Sequence, residues 1–134
     1  MSKGLSPAQR TMRALRDKGG ICAMVEHYNP HVGEHGIRQD LFGIIDVLVL
    51  DPSDTLGIQC CGTDFKAHVE KLTVEKAQES LDWLSSPHRK LQIWGWRKVK
   101  LKRGGKAERW SPRIMYVTIE DITGGATEEP EDEI

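Results

Sequence analysis

The residues in this chain most able to do chemistry are an acid and an amide set inside apolar runs. Asp46 interrupts "GIIDVLVL", and Gln59 lies within "LGIQCC". A carboxylate buried alone in a strand loses its hydration at a cost of several kcal/mol, about 2–7 for even a neutral polar group, unless a metal, a cation or an exposed strand end compensates. Two strands joined by a tight turn place residues equidistant from that turn side by side. Counted outward from Pro52-Ser53, Asp46 and Gln59 lie at equal depth, so both can face one site. A carboxylate and an amide oxygen are hard ligands of the kind Mg²⁺ accepts. The competing reading pairs Asp46 with an arginine or a backbone turn.

The elements that must position this pair follow from pattern. Pro7 to Lys18 reads as a short basic amphipathic helix, with Ser6 as N-cap and Gly19-Gly20 as its stop. Ile21–Tyr28, Leu41–Leu50 and Leu56–Cys61 read as strands, with the Gly- and His-rich "NPHVGEHGIRQ" a loop. Asp64–Leu84 reads as a helix carrying a rough apolar stripe. Lys90–Leu101 and Arg113–Ile122 read as a terminal strand pair. The order is α-β-β-β-α-β-β: an α/β domain over residues 1–122 with a mixed sheet of about five strands flanked by helices, followed by an acidic, disordered tail over 123–134.

Composition narrows the classes. At 134 residues the chain holds one domain. No apolar run approaches the ~20 residues of a membrane span, and the N-terminus shows no secretion signal, so a cytoplasmic setting without a membrane partner is expected. Cys22, Cys60 and Cys61 match no disulfide or zinc framework and read as reduced thiols, with adjacent Cys60 and Cys61 on opposite faces. The net charge of −1 hides a segregation: Arg89 to Arg113 holds ten Lys or Arg against the single acid Glu108, whereas Glu120 onward holds seven acids and neither base. That asymmetry predicts a polyanion-binding surface. Its centre is "WGWRKVKLKRGGKAERWSPR", where Trp96, Lys98 and Lys100 share a strand face and Arg97, Lys102, Arg103, Lys106 and Arg109 follow.

An Asp in a strand, a turn, then an acid or amide, with a helix before and after, resembles the PD-(D/E)XK nuclease superfamily, and most of all its small phage and archaeal Holliday-junction-resolvase-like members. The resemblance runs from Leu5 to about Ile122 and implies a restriction-endonuclease-like core, Mg²⁺- or Mn²⁺-dependent cleavage of DNA, branched DNA included, a phage-infected or prophage-bearing host, and a homodimer. It makes Asp46 and Gln59 metal ligands, with Glu26 as the additional acid and Asp40 either a further acid or the partner of Arg38. Cys61 stands where the motif has Lys, so Lys66 or Lys71 takes that role from the following helix; the alternative is a DNA-binding or regulatory module that has lost catalysis. A third reading makes the Trp-rich hairpin an oligomer interface. His27, His31, His35 and His68 read as solvent-facing.

Overall fold

A computed structural model describes residues 4–124, and within them the chain is α/β. Ser6 and Gln9 form a reciprocal capping box that starts α1 (Pro7–Asp17). Seven strands follow in order with two helices between the fifth and sixth: β1 (Ile21–Met24), β2 (His27–Asn29), β3 (Ile37–Gln39), β4 (Val47–Leu50), β5 (Thr55–Cys61), α2 (Phe65–Glu70), α3 (Ala77–Leu84), β6 (Arg89–Lys100) and β7 (Glu108–Tyr116). Five strands make one mixed sheet in the order β1-β4-β5-β6-β7, while β2 and β3 form a small hairpin of their own. Among the described residues only β5 and β6 run parallel, and the α2–α3 segment is the crossover such a pairing requires.

β5 is central and buried on both faces, which explains its nearly unbroken apolar sequence. Under α1 lie Val47, Val49, Ile58, Cys60, Trp94 and Trp96. On the opposite face Cys61, Leu91 and Ile93 pack with Phe65 and Leu72 of the helical crossover, so the adjacent thiols do part to the two faces. Gly57 and Gly95 let this second layer close: a Cβ would lie 2.6 Å from Ile45 Cδ1 at the first and 2.5 Å from Phe65 Cδ1 at the second.

Several expected boundaries move. The run Ile21–Tyr28 is broken at Val25-Glu26, and the segment expected as loop supplies β3. The strand expected over Leu41–Leu50 is regular only from Val47, because Phe42 and Gly43 take φ of +57° and +76° and fold the chain back through Leu41–Ile45. The long helix is interrupted by a π-helical turn at Lys71–Glu75. β7 begins at Glu108 and stops at Tyr116; a second π-helical turn over Glu120–Gly124 takes in the first two residues of the expected tail, and 125–134 lie outside the described residues. Among the described residues no helix is long and apolar enough to cross a membrane.

Candidate metal centre

The backbone of Asp46 is fixed from both sides. Its N–H donates to Ile58 O at 2.8 Å, and its carbonyl accepts from Val25 N at 2.8 Å. One carboxylate oxygen accepts the Cys60 N–H at 2.8 Å, just before regular β4 begins at Val47. The turn at Phe42-Gly43 brings Asp40 back beside it. Glu26, in the break between β1 and β2, completes a trio: one carboxylate oxygen from each of Glu26, Asp40 and Asp46 lies within 4.8 Å of the others.

Gln59, only 1% exposed, ties this trio to the following helix. Its Nε2 donates to Ile44 O (2.8 Å) and Asp40 Oδ2 (3.0 Å), while its Oε1 accepts from Lys71 Nζ (3.2 Å) and faces His68 Nδ1 (2.8 Å). A flipped amide would set oxygen against oxygen and nitrogen against ammonium, so the four partners settle its orientation. Gln59 therefore turns its nitrogen to Asp40 and gives its oxygen to Lys71 and His68. Lys71 Nζ also bonds Asp40 Oδ2 at 2.8 Å, from the first residue of the π-helical turn, a distortion frequent at functional sites.

The electrostatics follow from this wiring. Burial raises Asp46, and the neighbouring Asp40 and Glu26 carboxylates add to it, to about 8. Burial also pushes Asp40 up, but hydrogen bonds from Asp46, Lys71 and Gln59 outweigh it and hold Asp40 at about 2. The opposed directions, Asp46 up and Asp40 down, favour a state in which the pair holds one proton on the Asp46 side and the charge on the Asp40 side. Lys71 is bonded to Asp40 and Arg38 lies 3.7 Å from Glu26, which leaves Asp46 as the acid of the three without a cation of its own, and its demand for positive charge is met by a proton. A hard divalent cation fits the same demand.

The trio opens on two clefts. One, of about 660 Å³, runs from Glu26, Arg38 and Asp46 to the start of α1 at Ser6; the other, of about 470 Å³, holds Asp40, Lys71 and Lys76. Arg38 lines both.

The structure thus brings together Asp46, Asp40, Glu26, Gln59 and Lys71. Lys66 stays exposed on α2 and, among the described residues, makes no hydrogen bond or ion pair with them. The Arg38–Asp40 pair is not formed: Arg38 reaches Glu26 at 3.7 Å, and Lys71 takes Asp40. His68 joins the network instead of facing solvent, and its spacing of three residues to Lys71 and four to Asp64 was the available signal. Cys61 is buried, with its thiol pushed up to about 11 by burial and then by Asp64 and Asp46.

In the basic hairpin, Arg97, Lys98, Lys100, Lys102, Arg103, Lys106 and Arg109 are all exposed. Trp96 is not on that surface. It is 7% exposed, and its Nε1 donates to Thr11 Oγ1 at 2.9 Å beneath α1. The open aromatic is Trp110, 42% exposed, with Arg10 Cζ 3.9 Å and Lys98 Nζ 5.4 Å from its ring centroid. No family model, curated protein or solved structure matches the chain.

Proposed function

We propose that this protein is a Mg²⁺- or Mn²⁺-dependent nuclease of the PD-(D/E)XK type that hydrolyses DNA phosphodiester bonds, with branched DNA among its substrates. The observation that carries the reading is the convergence of Glu26, Asp40 and Asp46 within 4.8 Å beside a lysine bonded to one of them. Glu26, Asp40 and Asp46 would hold the cation. When bound, such an ion supplies an activated water and neutralises charge on the scissile phosphate. Asp40, held well below the usual carboxylate range, would ligate as it stands, whereas Asp46 would release its proton to solvent on binding. Lys71, arriving from the helix, supplies the fixed positive charge that Cys61 cannot. Gln59 acts as a positioning residue that aligns Lys71 with Asp40.

The exposed cations of the hairpin, with Lys98 and Trp110 near its loop end and Arg10 of α1 against Trp110, would hold the DNA backbone and stack against an unpaired base. The homodimer would form along β7, an edge strand of the sheet on which Ile114 and Tyr116 are exposed. The cytoplasm of a phage-infected or prophage-bearing host is the setting the same reading implies.

One observation favours the alternative, a DNA-binding module without catalysis: the shared proton and the Lys71–Asp40 pair already balance much of the cluster's charge. Incubation of branched, duplex and single-stranded DNA with protein and Mg²⁺ or Mn²⁺ separates the two. Cleavage lost on chelation and in Asp46→Ala supports the nuclease; binding without cleavage supports the module; cleavage surviving Asp46→Ala removes the site.

A further inference from the structure

Across Gln59 from the carboxylates lies a second group of different chemistry. Cys61 Sγ, a carboxylate oxygen of Asp64 and a ring nitrogen of His68 all lie within 4.8 Å of one another. They come from the end of β5, the residue before α2 and the first turn of α2, in the spacing Cys-x₂-Asp-x₃-His.

Two details are unexplained by packing. Asp64 occupies the N-cap of α2, where an aspartate ordinarily bonds a backbone N–H of the first turn, yet among the described residues it makes no such bond. Its carboxylate turns instead to His68 Nε2, 3.1 Å away. His68 is also held between two acceptors, Asp64 Oδ2 on Nε2 and Gln59 Oε1 on Nδ1. A neutral imidazole has one N–H and satisfies only one of them. Either a second ring proton satisfies both acceptors or, with the one proton on Nδ1 facing Gln59, a cation shared by Nε2 and the Asp64 carboxylate does. A ligating histidine whose other nitrogen donates to a fixed oxygen is the usual outer-shell pattern of a metal site.

We propose that Cys61, Asp64 and His68 form a second metal site, selective for Zn²⁺ or a similar borderline cation, with three protein ligands and an open fourth position. Sulfur and imidazole prefer such ions to Mg²⁺, whereas the all-oxygen trio of Glu26, Asp40 and Asp46 has the opposite preference. On binding, Cys61 loses its thiol proton to solvent and ligates as thiolate, Asp64 ligates as carboxylate, and His68 ligates through Nε2 with Nδ1–H kept on Gln59. No electron transfer is involved. The site stands whether or not the carboxylate trio is catalytic.

Cobalt is the probe, because a thiolate on Co²⁺ gives a charge-transfer band that oxygen and nitrogen ligands do not. The full chain, stripped with chelator and free of DNA, is titrated with Co²⁺ and back-titrated with Zn²⁺. One equivalent is expected to give the band, Zn²⁺ to abolish it, and excess Mg²⁺ to leave it. Cys61→Ser should remove the band, and Asp64→Asn and His68→Gln should weaken Co²⁺ binding by more than the about 10–100-fold that loss of an outer-shell partner alone costs. Asp64 lies at the exposed helix start, so its variant tests the site without endangering the core. Cys22→Ser, Cys60→Ser and Asp46→Asn should leave the band unchanged, which separates this site from the carboxylates. A titration without the band, or a band that follows Cys22 or Cys60, or Asp64→Asn and His68→Gln variants that bind like the parent, would overturn the assignment.

Discussion

Replacing Asp46 by asparagine keeps the shape of the protonated acid but removes its proton equilibrium. With Asp46 raised from 3.8 to about 8 and Asp40 lowered from 3.8 to about 2, the folded pair holds one proton between about pH 2 and 8, whereas the unfolded chain, with both acids at 3.8, has released nearly all of its two by about pH 5. A folded state that binds one more proton than the unfolded state loses stability as pH rises, at about 1.4 kcal/mol per pH unit. The contribution of Asp46 is therefore fully present below pH 3.8 and is lost as pH climbs toward 8. Asp40 has the reverse sign: its contribution is present above pH 3.8 and lost only as pH falls toward 2, below the window in which the Asp46 contribution is lost. The substituted amide keeps an oxygen for the Cys60 N–H and offers an N–H to Asp40, so the Asp46→Asn variant should fold and lose the slope. Urea unfolding of both proteins in chelator at about pH 5, 6, 7 and 8 should show the variant gaining on the parent by up to about 1.4 kcal/mol per pH unit. Adding Mg²⁺ at about ten times its Kd should then restore about 1.4 kcal/mol to the parent and nothing to the variant. Parallel pH profiles, or equal Mg²⁺ stabilisation of both proteins, would refute the shared-proton trio.

Two further predictions test the flanks of the site. Lys71→Met removes the cation bonded to Asp40 and Gln59, so cleavage should fall at least ~10²-fold, the scale of losing one preorganised electrostatic group, while DNA retention in a binding assay stays close to the parent. Trp110→Ala should weaken single-strand binding by about 1–3 kcal/mol per stacked base, and Trp96→Phe should instead cost about 1 kcal/mol of stability through the lost bond to Thr11, leaving DNA affinity intact; titration and urea unfolding of both variants check the contrast.

The strands of the sheet were legible because β5 and β6 are apolar enough to need two covers and their turns are marked by Pro and Gly. The equal depth of Asp46 and Gln59 was also legible, since register follows from the turn that joins β4 to β5. What pattern could not show was the fold-back at Phe42-Gly43. Phe42 is a non-glycine residue at positive φ, and nothing in its type announces that. That turn sets Asp40 beside Asp46, so the trio depends on a backbone feature whose local sequence signal is Gly43 alone. The π-helical turn at Lys71 was hidden for the same reason: its residues fit an ordinary helix, and tertiary packing decides otherwise. Trp96 misled by its neighbours, because alternation along β6 predicts a shared face but not that α1 covers the tryptophan and leaves Lys98 open. Pairings among charges, such as Arg38 with Glu26 rather than Asp40, depend on the β2–β3 hairpin, whose strands are three residues each and too short to carry a periodicity.

The fixed amide of Gln59 has a spectroscopic consequence. Both of its N–H bonds are engaged, one to a carbonyl and one to Asp40, and its oxygen is shared between an ammonium and an imidazole. A side-chain amide so enclosed exchanges slowly with water and gives a resolved pair of NMR signals, unlike the collapsed envelope of surface glutamines. The pair lies between the oxygen trio and the Cys-Asp-His group, so a cation entering either one polarises the amide from a different end. Gln59 is thus a native reporter that distinguishes occupancy on its two sides without any label at the sites themselves.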